Sequence, residues 1–275
     1  MKHGIHSLTR DQYGAVEALH FSGLKMLDVS AASYKYGEQR ETPSMSRGTA
    51  AHMAILEPAR FVEESVLFAG KVRNGKAWDE FQAANAGKLI LNAREMAECE
   101  RISSAVRGSA MAADVLRGGA CEQAIFWSMF GLQFKGLVDH LRTDQIADLK
   151  TTKSAAPAEF ARQAWSLRLH VQASMYVDGI KAITGMALPY RIVAVEAAYP
   201  HIVQVYEVSE ELLERGRSDL RRWLSLYHEC SASGRWPGYS TGPLVLQLPP
   251  WASSGPGDPP PDEDEEFIPF LGDDK

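Results

Sequence analysis

Gln133-Phe-Lys-Gly-Leu-Val-Asp139-His-Leu-Arg-Thr-Asp-Gln-Ile-Ala-Asp148-Leu-Lys150-Thr-Thr-Lys153 reads as two strands joined by a tight turn. Phe134, Leu137, Val138 and Leu141 form an apolar run, Thr143-Asp144-Gln145 carries turn chemistry, and Ile146 to Thr151 follows as the second strand. A strand has a side-chain period of two, so Asp148 and Lys150 share a face and Leu149 takes the other. Asp139, near the end of the first strand, can be brought beside them. Two carboxylates and an ammonium on one buried face are costly unless they are paired or bound to metal. Converging carboxylates favour a hard divalent cation such as Mg²⁺.

Working outward, Glu122 to Phe130 alternates as a strand and Gly131 supplies a turn. Glu122, Asp139, Asp148 and Lys150 thus fall on three successive strands of an antiparallel meander. Downstream, Pro157 to about Thr184 reads as one long helix closed by Gly185, with Phe160, Ala164, Leu167, Val171, Met175 and Ile180 as its core stripe. Gln172 and Tyr176 lie one turn apart on it. They form either a polar rim pair or a pair reaching into a cleft above the sheet. Two more strands, Tyr190 to Ala198 and Ile202 to Val208, precede a helix capped by Ser209 and running to about Ser231, whose Arg215, Arg217, Arg221 and Arg222 read as a solvated face. Gly234 to Trp251 is apolar enough to dock on the body. Upstream, a helix over Ser46 to Leu56 ends at Glu57-Pro58, because proline disfavours helix in the preceding residue. His52 on that helix reads, taken alone, as a structural histidine. Asn92 caps a helix through about Ser109, a second helical piece reaches Leu116, and Gly118-Gly119 ends it. Residues 1–25 read as a weakly patterned extension with a short helix around Asp11 to Phe21.

A chain of 275 residues can bury a core of its own, and its composition is that of a soluble globular protein. No apolar run approaches a membrane span, and the first residues lack the apolar core of a secretory signal. Cys99, Cys121 and Cys230 are few, odd in number and far apart, which predicts reduced thiols in a cytoplasmic protein and excludes a four-cysteine cluster within one chain. The net charge of -6 conceals a division. Ser253 to Lys275 holds eight acids and one base, or -7, which leaves the body near +1. An acidic partner is therefore compatible with the body. The tail reads as an extended, proline-rich, acidic disordered segment ending in an apolar hook, Phe267 to Phe270: a solubilising terminus or a docking peptide.

Asp139, Asp148-Leu149-Lys150 and Gln172-Ala-Ser-Met-Tyr176 together resemble the PD-(D/E)xK nuclease pattern with the QxxxY helix motif of its RecB-like branch. Gly48-Thr-Ala-Ala-His52, followed by Ile55-Leu-Glu-Pro58, resembles the histidine helix of that branch. More narrowly, Asp148 to Thr152, His170 to Gly179 and Leu248-Pro-Pro-Trp251-Ala resemble the nuclease domain of RecE-type exonucleases, over roughly residues 25 to 252. Val138-Asp139 stands where many relatives have Pro-Asp; that proline shapes a turn and is not a ligand. The resemblance implies an α/β (α+β) fold of the restriction-endonuclease-like kind, with an αβββαβ core and a central mixed sheet flanked by helices. It implies a nuclease domain at 26–252, a processive 5′-3′ exonuclease on linear duplex DNA, a ring-shaped homo-oligomer of tetrameric type, and a RecT-type annealing protein as partner.

Residue roles follow from the same resemblance. Asp139 and Asp148 would hold Mg²⁺ with the Leu149 carbonyl as a further ligand. His52 would add a nitrogen, which admits Mn²⁺ as a substitute. Glu122 would hold a second metal or its water, Lys150 would orient or help deprotonate the attacking water, and Gln172 and Tyr176 would position the DNA end or brace Lys150. Arg47, Lys135, Lys153, Arg162 and Arg168 are the candidate phosphate contacts. Trp165 would stack on a base or wedge the strands, although a core tryptophan is the commoner meaning. Two other readings remain: a structure-specific or Cas4-like nuclease, the latter disfavoured by the missing cysteine cluster, and a catalytically inert DNA-binding recombination scaffold.

Overall fold

The computed structural model describes residues 3–38, 43–70, 72–240 and 242–248, with the side chains of 43–47 excepted. In chain order the elements are β1 (Gly4–Ser7), α1 (Arg10–Gly14), α2 (Phe21–Leu24), α3 (Met26–Val29), α4 (Ala31–Tyr36), α5 (Pro43–Leu56), α6 (Pro58–Glu64), β2 (Ser65–Leu67), α7 (Lys76–Ala84), β3 (Leu89–Leu91), α8 (Ala93–Gly108), α9 (Ala110–Val115), β4 (Ala120–Met129), β5 (Leu132–Leu141), β6 (Ile146–Thr152), α10 (Pro157–Ser166), α11 (Leu169–Thr184), β7 (Tyr190–Glu196), β8 (Val203–Glu207) and α12 (Glu210–Ser233).

Six strands form one mixed sheet in the order β1-β4-β5-β6-β7-β8, and β2 and β3 make a small parallel pair beside it. The meander β4-β5-β6 is antiparallel; β6 and β7 are parallel, joined across α10 and α11. A parallel pair needs such a crossover, and here it covers one face of the sheet. Strand alternation then divides the core. Ile146, Ile192 and Ala194 face the cluster built with α11 and α12, whereas Ala147, Leu149, Val193 and Val195 face the cluster built with α5, α8 and α9. The result is a helix–sheet–helix sandwich, which is why β7 reads as an unbroken apolar run from Ile192 to Val195. No helix among the described residues is long and apolar enough to cross a membrane.

The expected caps are present. Asn92 accepts from the Glu95 amide and Glu95 returns the bond in a capping box, while Ser209 accepts from the Leu212 amide. Other expectations are corrected. The single helix over Pro157 to Thr184 is two helices, broken at Leu167-Arg168, where Arg168 adopts a left-handed φ of 60°. Its apolar stripe runs across the break because both pieces bury onto the same core. Helix α5 begins at Pro43, three residues before the expected Ser46; proline suits a first turn, whose amides have no helical partner. The helix expected around Asp11 to Phe21 is only the short α1; residues 15–20 are non-helical and Phe21 already opens α2. The N-terminal stretch is part of the body, since β1 pairs antiparallel with β4 and Phe21 and Leu24 are core residues. The segment after α12 docks through Trp236, stacked on Tyr34, and through the Pro237 carbonyl, which accepts from the Ala32 amide; Leu244 to Leu246 and Leu248 are exposed. The expected disordered tail and the Arg47 side chain lie outside the described residues.

Candidate active site

The site is made where a ladder stops. β5 and β6 pair at Leu141↔Ile146 and His140↔Ala147, and no further. The next rung would set Asp139 opposite Asp148, and like charges placed so are destabilising. The strands part there instead. Beyond the parting, the Leu149 amide has lost its partner on β5, and it donates to Asp139 Oδ2 at 2.7 Å. Asp148 takes its counter-charge from its own strand: Lys150 Nζ lies 3.0 Å from Oδ1 and 2.9 Å from Oδ2. Both carboxylates are buried, at 6% and 3% exposure.

Helix α5 closes over this gap. Its small residues Ala50, Ala51 and Ala54 are all buried and let the helix approach the body. That places His52 Nδ1 3.8 Å from Asp139 Oδ2, too long for a hydrogen bond but within reach of one shared ion. Glu122 falls between the rungs Cys121↔His140 and Gln123↔Val138, where the β4–β5 pairing skips a residue on each strand; it has a left-handed φ of 50° and lies 3.8 Å from Arg10 Nη2. From the opposite layer, α11 points Gln172 and Tyr176 inward; both are buried, so the rim alternative is excluded. The Tyr176 ring packs so closely on Gly136 of β5 that a Cβ there would meet it at 2.6 Å.

Two side chains not picked out from the sequence complete the surroundings. Tyr190, the first residue of β7, is fully buried, with its ring 6.5 Å from that of Tyr176. Burial first, then the Asp148 carboxylate, push its phenol well above the ordinary range, so it stays a protonated donor beneath the acids. Glu57, directly after α5, is the second. The Cys121 thiol is pushed up to about 11 by burial and then by Glu57, Glu122 and Asp139, which leaves it inert; Glu57 itself is paired with Arg60 at 2.9 Å. Tyrosine at a strand start is common and carries no signal of its own; Glu57 stands within the Ile55-Leu-Glu-Pro58 stretch, where it was read as the end of the helix and not as a site residue.

The candidate DNA contacts divide. Lys153 and Arg162 are exposed. Lys153, Arg94, Gly48, Thr151, Thr152 and Gln163 line a cleft of about 640 Å³ at the end of β6. Lys135 is not a surface cation. It is buried, donates from Nζ to the Tyr13 carbonyl at 3.0 Å, and lies 4.4 Å from the centre of the Tyr13 ring, because the N-terminal segment covers that face of β5. Arg168 is held by Asp28, with Nε 2.7 Å from Oδ2. Trp165 is stacked on His170 at 4.5 Å, with the Arg215 and Arg168 guanidinium groups over its ring at 5.3 and 5.8 Å. It is 42% exposed, with one face stacked on His170, and is not a core tryptophan. Among the described residues, no three of His, Cys, Asp and Glu are gathered closely enough to hold an ion as they stand.

A sheet with helices on both faces, two acids at a strand parting and a lysine two residues beyond the second define a PD-(D/E)xK-type protein. Residues 21–243 match the PDDEXK-like domain of unknown function DUF3799, and the chain belongs to that family, within the PD-(D/E)xK nuclease superfamily. The crystal structure of a candidate exonuclease from Eubacterium rectale is similar in fold, with a TM-score of 0.62 at 14% identity over 89% of this chain and 96% of that one. No curated protein matches the sequence.

Proposed function

We propose that this protein is a metal-dependent exodeoxyribonuclease that degrades one strand of linear duplex DNA from the 5′ end, leaving 3′ single strands for recombination by annealing. The observation that carries the reading is the meeting of Asp139, Asp148 and Lys150 at the parting of β5 and β6. The residues fit a divalent ion. Asp139 and Asp148 are hard oxygen donors, and the buried site holds more acid than base. Asp139, Asp148 and His52 would hold Mg²⁺, with Glu122 and the Leu149 carbonyl beside them; the imidazole nitrogen makes Mn²⁺ an acceptable substitute. Such an ion, when bound, neutralises charge at the scissile phosphate and lowers the pKa of water.

The chain's own groups supply the rest. Lys150 orients the attacking water and holds a positive charge where the phosphate gains negative charge. Gln172 and Tyr176 fix Lys150 and the DNA end from the α11 side. Lys153 and Arg162 take backbone phosphates, which positions the strand without reading sequence. The resemblance to RecE-type nucleases supports a ring-shaped homo-oligomer, tetrameric in type, and a RecT-type annealing partner. The similarity to the Eubacterium rectale candidate exonuclease favours end-dependent cutting over the structure-specific and Cas4-like alternatives. The presence of both acids and the lysine argues against an inert scaffold.

The deciding experiment incubates the full chain and Mg²⁺ with linear duplex DNA labelled at either 5′ or 3′ ends, and with closed circles. The expected result is early release of the 5′ label and intact circles. Cutting of circles would make the enzyme an endonuclease, and no cutting with Mg²⁺ or Mn²⁺ would remove the nuclease reading.

A further inference from the structure

The 640 Å³ cleft continues the candidate site along both of its walls. Gly48 lies one helical turn before His52 on α5, and Thr152 follows Lys150 on the same face of β6. Glu95 and Glu98 line the α8 wall, while Lys153 sits at the β6 end and Arg94 on α8. An anionic strand in this cleft therefore runs on the β6 side. There the cleft is closed by Ala197 and Ala198, the first residues of the turn joining β7 to β8.

That turn is built to present side chains outward. The Ala197 amide donates to the Thr152 carbonyl at 2.9 Å, tying the turn to the end of β6. The Glu196 amide donates to Ile202 and the His201 amide to Ala198, which closes the loop. His201 turns inward: it is 6% exposed, and its Nδ1 lies 3.1 Å from the Glu196 carbonyl oxygen. Tyr199 and Ile202 on either side are thrown outward, at 85% and 52% exposure. The Tyr199 ring stands edge-on to the buried His201 ring at 6.3 Å. An aromatic ring is thus held on a braced loop, next in the chain to Ala198 at the end of a cleft whose β6 side carries Lys153.

We propose that Tyr199, supported by His201 and Ile202, is a stacking platform for an unpaired base of the nucleic-acid strand that occupies the cleft, with Lys153 on its phosphates. This rests on the nuclease reading and adds to it a single-strand subsite. Scale favours a base over a protein partner. A stable protein interface covers about 800 Å² on each side, far more than two side chains at a loop tip provide, whereas one ring suffices for one base. Trp165, the sequence's candidate for stacking, has one face stacked on His170 and the Arg215 guanidinium 5.3 Å from its ring centre.

The test uses the full chain carrying Lys150→Ala, so that DNA survives, and reads fluorescence anisotropy with a short labelled oligothymidylate. Adding Tyr199→Ala is expected to weaken binding by about 5- to 150-fold, the range for loss of one base stack, while Tyr199→Phe leaves it unchanged. The melting temperature should not move with either change at so exposed a position. Duplex cleavage by the natural chain, with Lys150 and Tyr199 intact, is followed in parallel. Equal oligonucleotide affinity for Tyr199→Ala and the parent overturns the platform, and does so without touching the nuclease reading if the duplex is still degraded. Absence of binding by the Lys150→Ala parent together with absence of cleavage by the natural chain overturns the two together.

Discussion

Lys150 and Asp148 are each the other's nearest answer to a buried charge. Lys150→Ala should abolish cutting while DNA is still bound, and should cost about 1–3 kcal/mol of stability, since one partner of a charged hydrogen bond is left behind. Added Mg²⁺ should then raise the melting temperature of the variant more than that of the natural chain, because the ion replaces the lost counter-charge; thermal unfolding with Mg²⁺ and with EDTA checks this. Asp139→Asn is the complementary case. The amide oxygen can still accept from Leu149 and the repulsion towards Asp148 is relieved, so unfolding should change by less than about 1 kcal/mol while cutting is lost. A variant that unfolds readily would show that the charge at Asp139 serves the fold. Asp139, Asp148 and Lys150 were legible from spacing because a period of two and a turn are local facts. Tyr190 was not, since its place beneath Asp148 depends on the parallel pairing of β6 with β7, set by a crossover of nearly forty residues.

At the level of elements, α11 and α12 lie against each other through Gly216, where a Cβ would stand 2.1 Å from the His170 carbonyl oxygen. The contact is backbone to backbone, so a methyl group cannot be accommodated by a rotamer change. Gly216→Ala should destabilise by about 1–3 kcal/mol, read from denaturant unfolding. It should also loosen Gln172 and Tyr176, which share α11 with His170. Helix starts at Asn92 and Ser209 were readable because capping is chemistry within four residues. The break between α10 and α11 was not. The left-handed Arg168 is held by Asp28, 140 positions away in sequence, which also receives Arg222 and the Trp223 indole. Lys135 was misread for a similar reason, its cover being the early Tyr13.

For the molecule as a whole, acid should be the weak side. His170 is buried, and burial depresses its pKa more than the hydrogen-bonded Asp219 restores it; burial lowers His140 in the same way. The folded protein therefore binds these protons less readily than the unfolded chain, which takes them up below about 6.5. Stability is full above that pH and is lost as pH falls towards the folded values. The slope for one such histidine is at most about 1.4 kcal/mol per pH unit. Asp28 and Asp219 are also held low, since their arginine, histidine and tryptophan partners outweigh the burial that would raise them, and they extend the loss below about pH 4. Melting temperature should fall between pH 7 and 5, and His170→Asn should flatten that fall; an unchanged slope would put the sensitivity elsewhere. The six-stranded sheet has one further consequence. β1 is four residues long, yet it occupies the whole register from Gln123 to Phe126 on the outer side of β4. A chain trimmed of its first eight residues would bare those amides and carbonyls as a template for its own copies, so the shortened protein should aggregate at concentrations the intact one tolerates.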